Sequence, residues 1–171
     1  MRKFILACAA AAVFTSCNKE QTMDVPLTRT QILYGSNKTS GANEKPTTWK
    51  TAEFKVTYQK EDGSDTSRLD LYPECKKDDI LQFFENFTGT HQTADNKCST
   101  NEGDLYHYRW EFTQNDESLN FYNCDRLFNY RTFIAKVKDF SDGSFTLEYQ
   151  ETMIINSVLD TVKVEHKFQK N

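Results

Sequence analysis

From Trp49 to the C-terminus, apolar side chains recur at every second position, the period of a strand with one face buried. Phe54, Val56 and Tyr58 alternate with Lys55, Thr57 and Gln59, and the polar run Glu61-Asp62-Gly63-Ser64 ends that strand. Leu69 and Leu71 predict a short strand leading to Pro73. Ile80 to Phe84 and Thr90 to Thr93 read as the two arms of a hairpin. Tyr106, Tyr108, Trp110 and Phe112 alternate with His107, Arg109 and Glu111, and Leu119, Phe121 and Asn123 follow after the turn Gln114-Asn115-Asp116-Glu117. Phe133, Ala135 and Val137 precede Ser141-Asp142-Gly143, a strong turn signal. Phe145, Leu147 and Tyr149 share one face of a strand that continues through Met153, and Val162, Val164, His166 and Phe168 close the chain.

This pattern is an all-β domain of eight or nine antiparallel strands joined by short turns, with no convincing amphipathic helix between them. A sheet of that size in about 120 residues must close on itself or fold over, because open edges invite aggregation. Sequential hairpins of similar length favour an antiparallel eight- to nine-stranded up-and-down β-barrel, aromatic inside and charged outside.

The hairpin from Tyr72 to Cys98 carries a second signal. Cys75 and Cys98 are symmetric about the Asn86–Phe87 peptide, and residues equidistant from a turn face each other across an antiparallel pair. A Cys75–Cys98 disulfide is therefore expected, leaving Cys124 as a thiol or a small apolar filler at a strand end.

Upstream of the barrel the pattern changes. Residues 1–16 combine Arg2 and Lys3 with an apolar run from Phe4 to Phe14, too short to span a bilayer, and small residues before a cysteine. Phe14-Thr15-Ser16-Cys17 resembles a bacterial lipobox, which makes Cys17 the expected lipidation site and the first mature residue. Residues 17–48 read as a flexible tether rich in Thr, Asn, Lys, Ser and Gly. Its one apolar island, Gln31-Ile32-Leu33-Tyr34, suits either a helical turn or an added strand. Residues 49–171 are the barrel domain. Acyl chains on Cys17 would fix the protein to a membrane of the cell envelope, on its periplasmic or its exposed side.

Charge narrows the partners. Without Arg2 and Lys3 the chain has 19 basic against 25 acidic residues, a net charge of −6, and no basic patch with interleaved aromatics. Nucleic acid and anionic headgroups are thus poor partners.

Taken together, Trp49-Lys50 opening the first strand, Cys75-Lys76-Lys77-Asp78-Asp79, Thr88-Gly89-Thr90 at a turn, Cys98, Trp110 and the lipobox resemble the lipocalin-like lipoproteins of Bacteroidales. The resemblance covers about 120 residues. It implies an eight-stranded calyx-like barrel on the cell envelope, placed at the outer membrane. The chain lacks a clear Gly-x-Trp opening motif and a helix after the last strand, which separates it from true lipocalins and their retinoid-carrier function.

Few residues suggest chemistry. There is no Ser-His-Asp signature, no Gly-rich phosphate loop and no Cys-x-x-Cys pair, so the chain reads as non-enzymatic and without a cofactor. His91, His107 and His166 lack the close spacing of a metal site. Asp78 and Asp79 are adjacent and point to opposite faces of a strand, as solvated groups or turn acceptors. Tyr58, Tyr106, Tyr108, Trp110, Phe112, Phe133, Phe145, Tyr149 and Phe168 are expected to line the barrel interior. Eight strands leave a lumen that is either filled by side chains or holds one small ligand. Buried tyrosine hydroxyls need partners, so a ligand with polar and apolar parts would suit them. The expected function is to bind a small amphipathic or hydrophobic ligand. The alternative is an envelope interaction protein, or an inhibitor, with a filled barrel that works through its loops. Asp160-Thr161-Val162 also resembles the short O-glycosylation acceptor motif of Bacteroidetes, at Thr161.

Overall fold

A computed structural model describes residues 26–35, 46–59, 64–68, 71–113, 115–124, 128 and 131–171; Cys17 and the expected signal segment lie outside them. Nine strands are present: β1 (Thr48–Gln59), β2 (Asp65–Arg68), β3 (Ile80–Phe83), β4 (Thr88–Gln92), β5 (Leu105–Phe112), β6 (Ser118–Tyr122), β7 (Thr132–Lys138), β8 (Ser144–Ile155) and β9 (Val158–Lys170). All neighbours are antiparallel, and β1 pairs with β9 as well as with β2 and β3. Eight strands thereby close into a barrel, with β2 as an extra strand. β3 and β2 succeed each other along one edge of β1: Thr48–Lys50 faces Ile80–Gln82, and Val56–Gln59 faces Asp65–Arg68. Leu69, expected to form a short strand with Leu71, lies outside the described residues, and Leu71 itself is in a turn; β2 precedes them. Its side chains are polar and largely exposed, so no apolar alternation marks it.

β1 switches phase in mid-strand. Its register with β9 shifts between Thr51 and Glu53, a bulge that takes up one residue. Trp49 before it and Phe54 and Val56 after it all face the core, although their numbers differ in parity. Below this point aromatic rings pack closely in the barrel interior. Phe83 lies within 5.2 to 6.2 Å of Tyr108, Trp110, Phe121 and Phe145, centroid to centroid. Trp49 meets Phe145 edge-on at 4.9 Å, and Phe145 stacks on Phe168 at 5.0 Å. Gly89 allows Tyr108 to lie flat against β4, since a Cβ there would come within 2.4 Å of the ring. The Tyr108 hydroxyl, which passes over Gly89, donates to the Gln82 carbonyl at 2.8 Å.

We call the end where β1 and β8 begin the lower end. It is closed by α1 (Arg29–Tyr34), the apolar island of the expected tether. Thr28 Oγ1 accepts from the Gln31 N–H and Gln31 Oε1 accepts from the Thr28 N–H, a reciprocal cap, and Gly35 ends the helix at φ 82°. Leu33 is fully buried, and Trp49 Nε1 donates to its carbonyl at 2.9 Å. Arg29 donates to the Asp116 carbonyl and sits over the Phe140 ring. Of the two conformations the island could take, it adopts the helical turn, because its apolar side chains gain the open mouth of the barrel as a surface to bury.

At the upper end β8 and β9 run on as a hairpin. Ile155 faces Val158 across a two-residue turn in which Asn156 and Ser157 have φ of 51° and 68°, the conformation that matches strand twist. The outer face of the barrel is charged: Glu148 on β8 takes salt bridges from Lys138 on β7 and Lys163 on β9. These two contacts hold its carboxyl below the usual range.

Candidate functional site

A cavity of about 130 Å³ lies at the upper end of the barrel, between β1, β8, β9 and the segment that precedes β3. Phe54 comes from β1, Tyr149 from β8 and His166 from β9, each on the inward face set by the alternation. Leu71, Tyr72, Pro73 and Lys76 form a wall laid across them. The wall has little regular structure, only a 3-10 turn at Glu74–Lys76. The Cys75–Cys98 disulfide, with its Cα atoms 5.1 Å apart, fastens this turn to the loop after β4. The covalent link expected from hairpin symmetry therefore holds a wall of the cavity in place.

Aromatic rings supply much of the cavity wall. Phe54, Tyr72 and His166 meet one another at 4.6 to 5.1 Å, and His166 stacks on Phe168 at 4.1 Å. Phe128 stacks on Phe133 at 4.0 Å, with Tyr149 edge-on to Phe133 at 4.6 Å. Lys76 and Glu151 add charge at the margin.

Polar groups line up beside these rings. Tyr72 donates its hydroxyl proton to the Lys76 carbonyl at 3.4 Å. Thr51 Oγ1 donates to the Tyr72 oxygen at 3.3 Å and also lies 2.9 Å from His166 Nε2, where the donor is set by the tautomer of the ring. His166 Nδ1 is buried and has no partner among the described residues. An unmet buried polar atom costs about 1–3 kcal/mol. Burial, reinforced by the Lys76 charge, pushes the His166 pKa down to about 3, so the ring is neutral at physiological pH. Burial likewise pushes Tyr72 up to about 12; the Asp79 charge adds to this, and the Thr51 hydrogen bond opposes it.

Asp79 is not solvated. It is buried, accepting the Ala94 N–H at 3.2 Å and lying 2.7 Å from His91 Nε2, which ties the start of β3 to the exit of β4. Its turn-acceptor role is present, and the buried His91 supplies the second partner that allows a carboxylate to leave water.

The nine aromatic positions expected inside the barrel separate into groups. Tyr108, Trp110, Phe133, Phe145, Tyr149 and Phe168 are buried, whereas Tyr58, Tyr106 and Phe112 are half-buried near the barrel ends. Tyr149 alone of the nine lines the cavity; the other buried rings belong to the packed aromatic core. Phe54 and His166 were readable as inward positions but not as a site, and Tyr72 and Phe128 stand outside any alternation. Thr161 is exposed on the outer face of the hairpin, opposite Thr152. Cys124 is a buried thiol whose sulfur lies 3.9 Å from the Arg131 carbonyl. No protein-family model, curated protein or solved structure matches the chain.

Proposed function

We propose that this chain is a lipid-anchored envelope protein of lipocalin-like type that holds one small amphipathic molecule in the cavity beneath Tyr72. The observation that carries the reading is a small cavity walled in large part by aromatic rings. The cavity itself sets the scale: a volume near 130 Å³ is close to cavities of about 150 Å³ that take up benzene. The ligand is thus a single small ring or its equivalent, and not a fatty acid or retinoid. Mass spectrometry of the protein purified natively from its host should show a bound small molecule that is lost on unfolding. Protein carrying no such adduct, and showing no thermal shift with a panel of small aromatics, would remove the ligand-binding reading. The anchor is tested separately: Cys17→Ala should move the protein from the membrane to the soluble fraction, and continued membrane association after a salt wash would count against lipidation.

One observation favours a role for loops instead. At the hairpin tip Ile154, Val158 and Leu159 are each more than 60% exposed, and such apolar clusters mark contact surfaces. Photo-crosslinking from position 159 in the envelope would yield a defined partner under this reading and no discrete product otherwise.

A further inference from the structure

We infer that the cavity takes a small zwitterion of amino-acid type with an aromatic body, its ammonium beside Glu151 and its carboxylate beside Lys76. The inference rests on the ligand-binding reading above and names the chemical class.

Its basis is a carboxylate on the inward face of β8. Tyr149, Glu151 and Met153 occupy successive inward positions, and all three line the cavity. Glu151 faces the buried Val162 across the β8–β9 ladder, and residues opposite each other in a ladder project from the same face of the sheet. Alternation calls for an apolar side chain at this position, since a carboxylate drawn out of water costs free energy unless an opposite charge meets it. Lys76 brings a positive charge to the same cavity from a different element, the 3-10 turn of the covering wall. Both residues are half-buried.

The imidazole and the phenol beside them add no charge. Burial, with the Lys76 charge second, holds His166 neutral at physiological pH, and burial keeps the Tyr72 hydroxyl protonated. One charge of each sign therefore stands against a wall of rings. Glu151 and Lys76 already have contacts within the protein, so a ligand must offer each at least what it gives up. A singly charged ligand does this at one residue. A zwitterion does it at both, through charge-assisted hydrogen bonds, and brings no net charge into a poorly hydrated place. Size agrees with this class. About 130 Å³ accepts one ring, and Glu151 lies one inward step beyond Tyr149 toward the hairpin, where the charged head of the ligand would stand outside the ring.

Phenylalanine, phenethylamine, hydrocinnamate and toluene carry the same ring with both charges, the ammonium alone, the carboxylate alone and neither. Titrated into the mature full-length protein near neutral pH and followed by amide NMR shifts, phenylalanine should bind about tenfold more tightly than either singly charged compound, the value of one charge-assisted hydrogen bond. Lys76→Gln should bring phenylalanine down to the affinity of phenethylamine, and Glu151→Gln should bring it down to that of hydrocinnamate. The wild-type comparison of the four compounds decides alone if a variant does not fold. A singly charged or neutral probe that binds the wild type as tightly as phenylalanine, or an advantage that survives either substitution, overturns the zwitterion inference and leaves the cavity reading standing. Binding of none of the four at millimolar concentration overturns the cavity reading itself.

Discussion

Trp49 Nε1 donates to the carbonyl of Leu33, sixteen residues earlier, at 2.9 Å and out of contact with water. The bond joins a six-residue helix, too short to persist alone, to the first strand of the barrel. Leu33→Ala should therefore cost about 2–4 kcal/mol in chemical denaturation, as much as a core position inside the barrel. A loss under about 0.5 kcal/mol would mean that the helix contributes nothing to folding.

Trp110 and His107 lie on opposite faces of β5. The indole is buried against Phe83 and Phe87 and donates to the Thr88 carbonyl at 2.8 Å. Trp110→Ala should cost about 3–5 kcal/mol, while His107→Ala, at an exposed position, should stay within about 0.5 kcal/mol. A reversed order would invert the register of the strand.

His166 predicts a specific acid sensitivity. Its folded pKa, about 3, lies below its ordinary value of 6.5, so below pH 6.5 the unfolded chain binds a proton that the native state refuses. Stability is lost as the pH falls from 6.5 toward 3, by up to about 1.4 kcal/mol per pH unit from this residue. His166→Leu should flatten the urea midpoint against pH in that window. Parallel pH profiles for variant and wild type would show that His166 is charged in the native state.

The Cys75–Cys98 bond closes a separation of 23 residues, worth roughly 3 kcal/mol in the chain-entropy model. Non-reducing peptide mapping should recover that pair with Cys124 as a thiol that alkylates only after unfolding. Mild reduction should also weaken binding of any small aromatic probe, since Tyr72, Pro73 and Lys76 stand on the fastened segment. Unchanged binding after complete reduction would show that the wall holds its position without the link.

Much of this architecture can be read from alternation, because a barrel strand with one wet face spaces its apolar residues by two. β5, β7 and β9 follow that rule over most of their length, with Leu105, Ile134 and Leu159 as exposed exceptions. Where it fails, something other than sheet burial sets the residue. Tyr72 is inward because a non-strand segment is clamped over the barrel, and Phe128 because a helical residue between β6 and β7 fills the space beside Phe133 and Tyr149. Trp49 and Phe54 break parity through the bulge near Thr51. The hairpin tip was missed because Ile154, Val158 and Leu159 are apolar yet exposed. The cavity depends on these exceptions, so the barrel is legible in the sequence while most of its candidate site is not.

α1 enters at the lower end of the barrel, and the cavity and the β8–β9 hairpin occupy the upper. β9, 13 residues long, spans about 40 Å from the helix end to the hairpin tip at the rise of an extended strand, and the cavity, at His166, lies between them. The molecule thus has a direction. Whatever grips the chain ahead of Pro26, whether a membrane, a resin or a fused protein, points the cavity away from itself and toward whatever lies beyond. A reporter or an immobilising surface belongs at the N-terminus, and a tag placed in the hairpin would stand at the door.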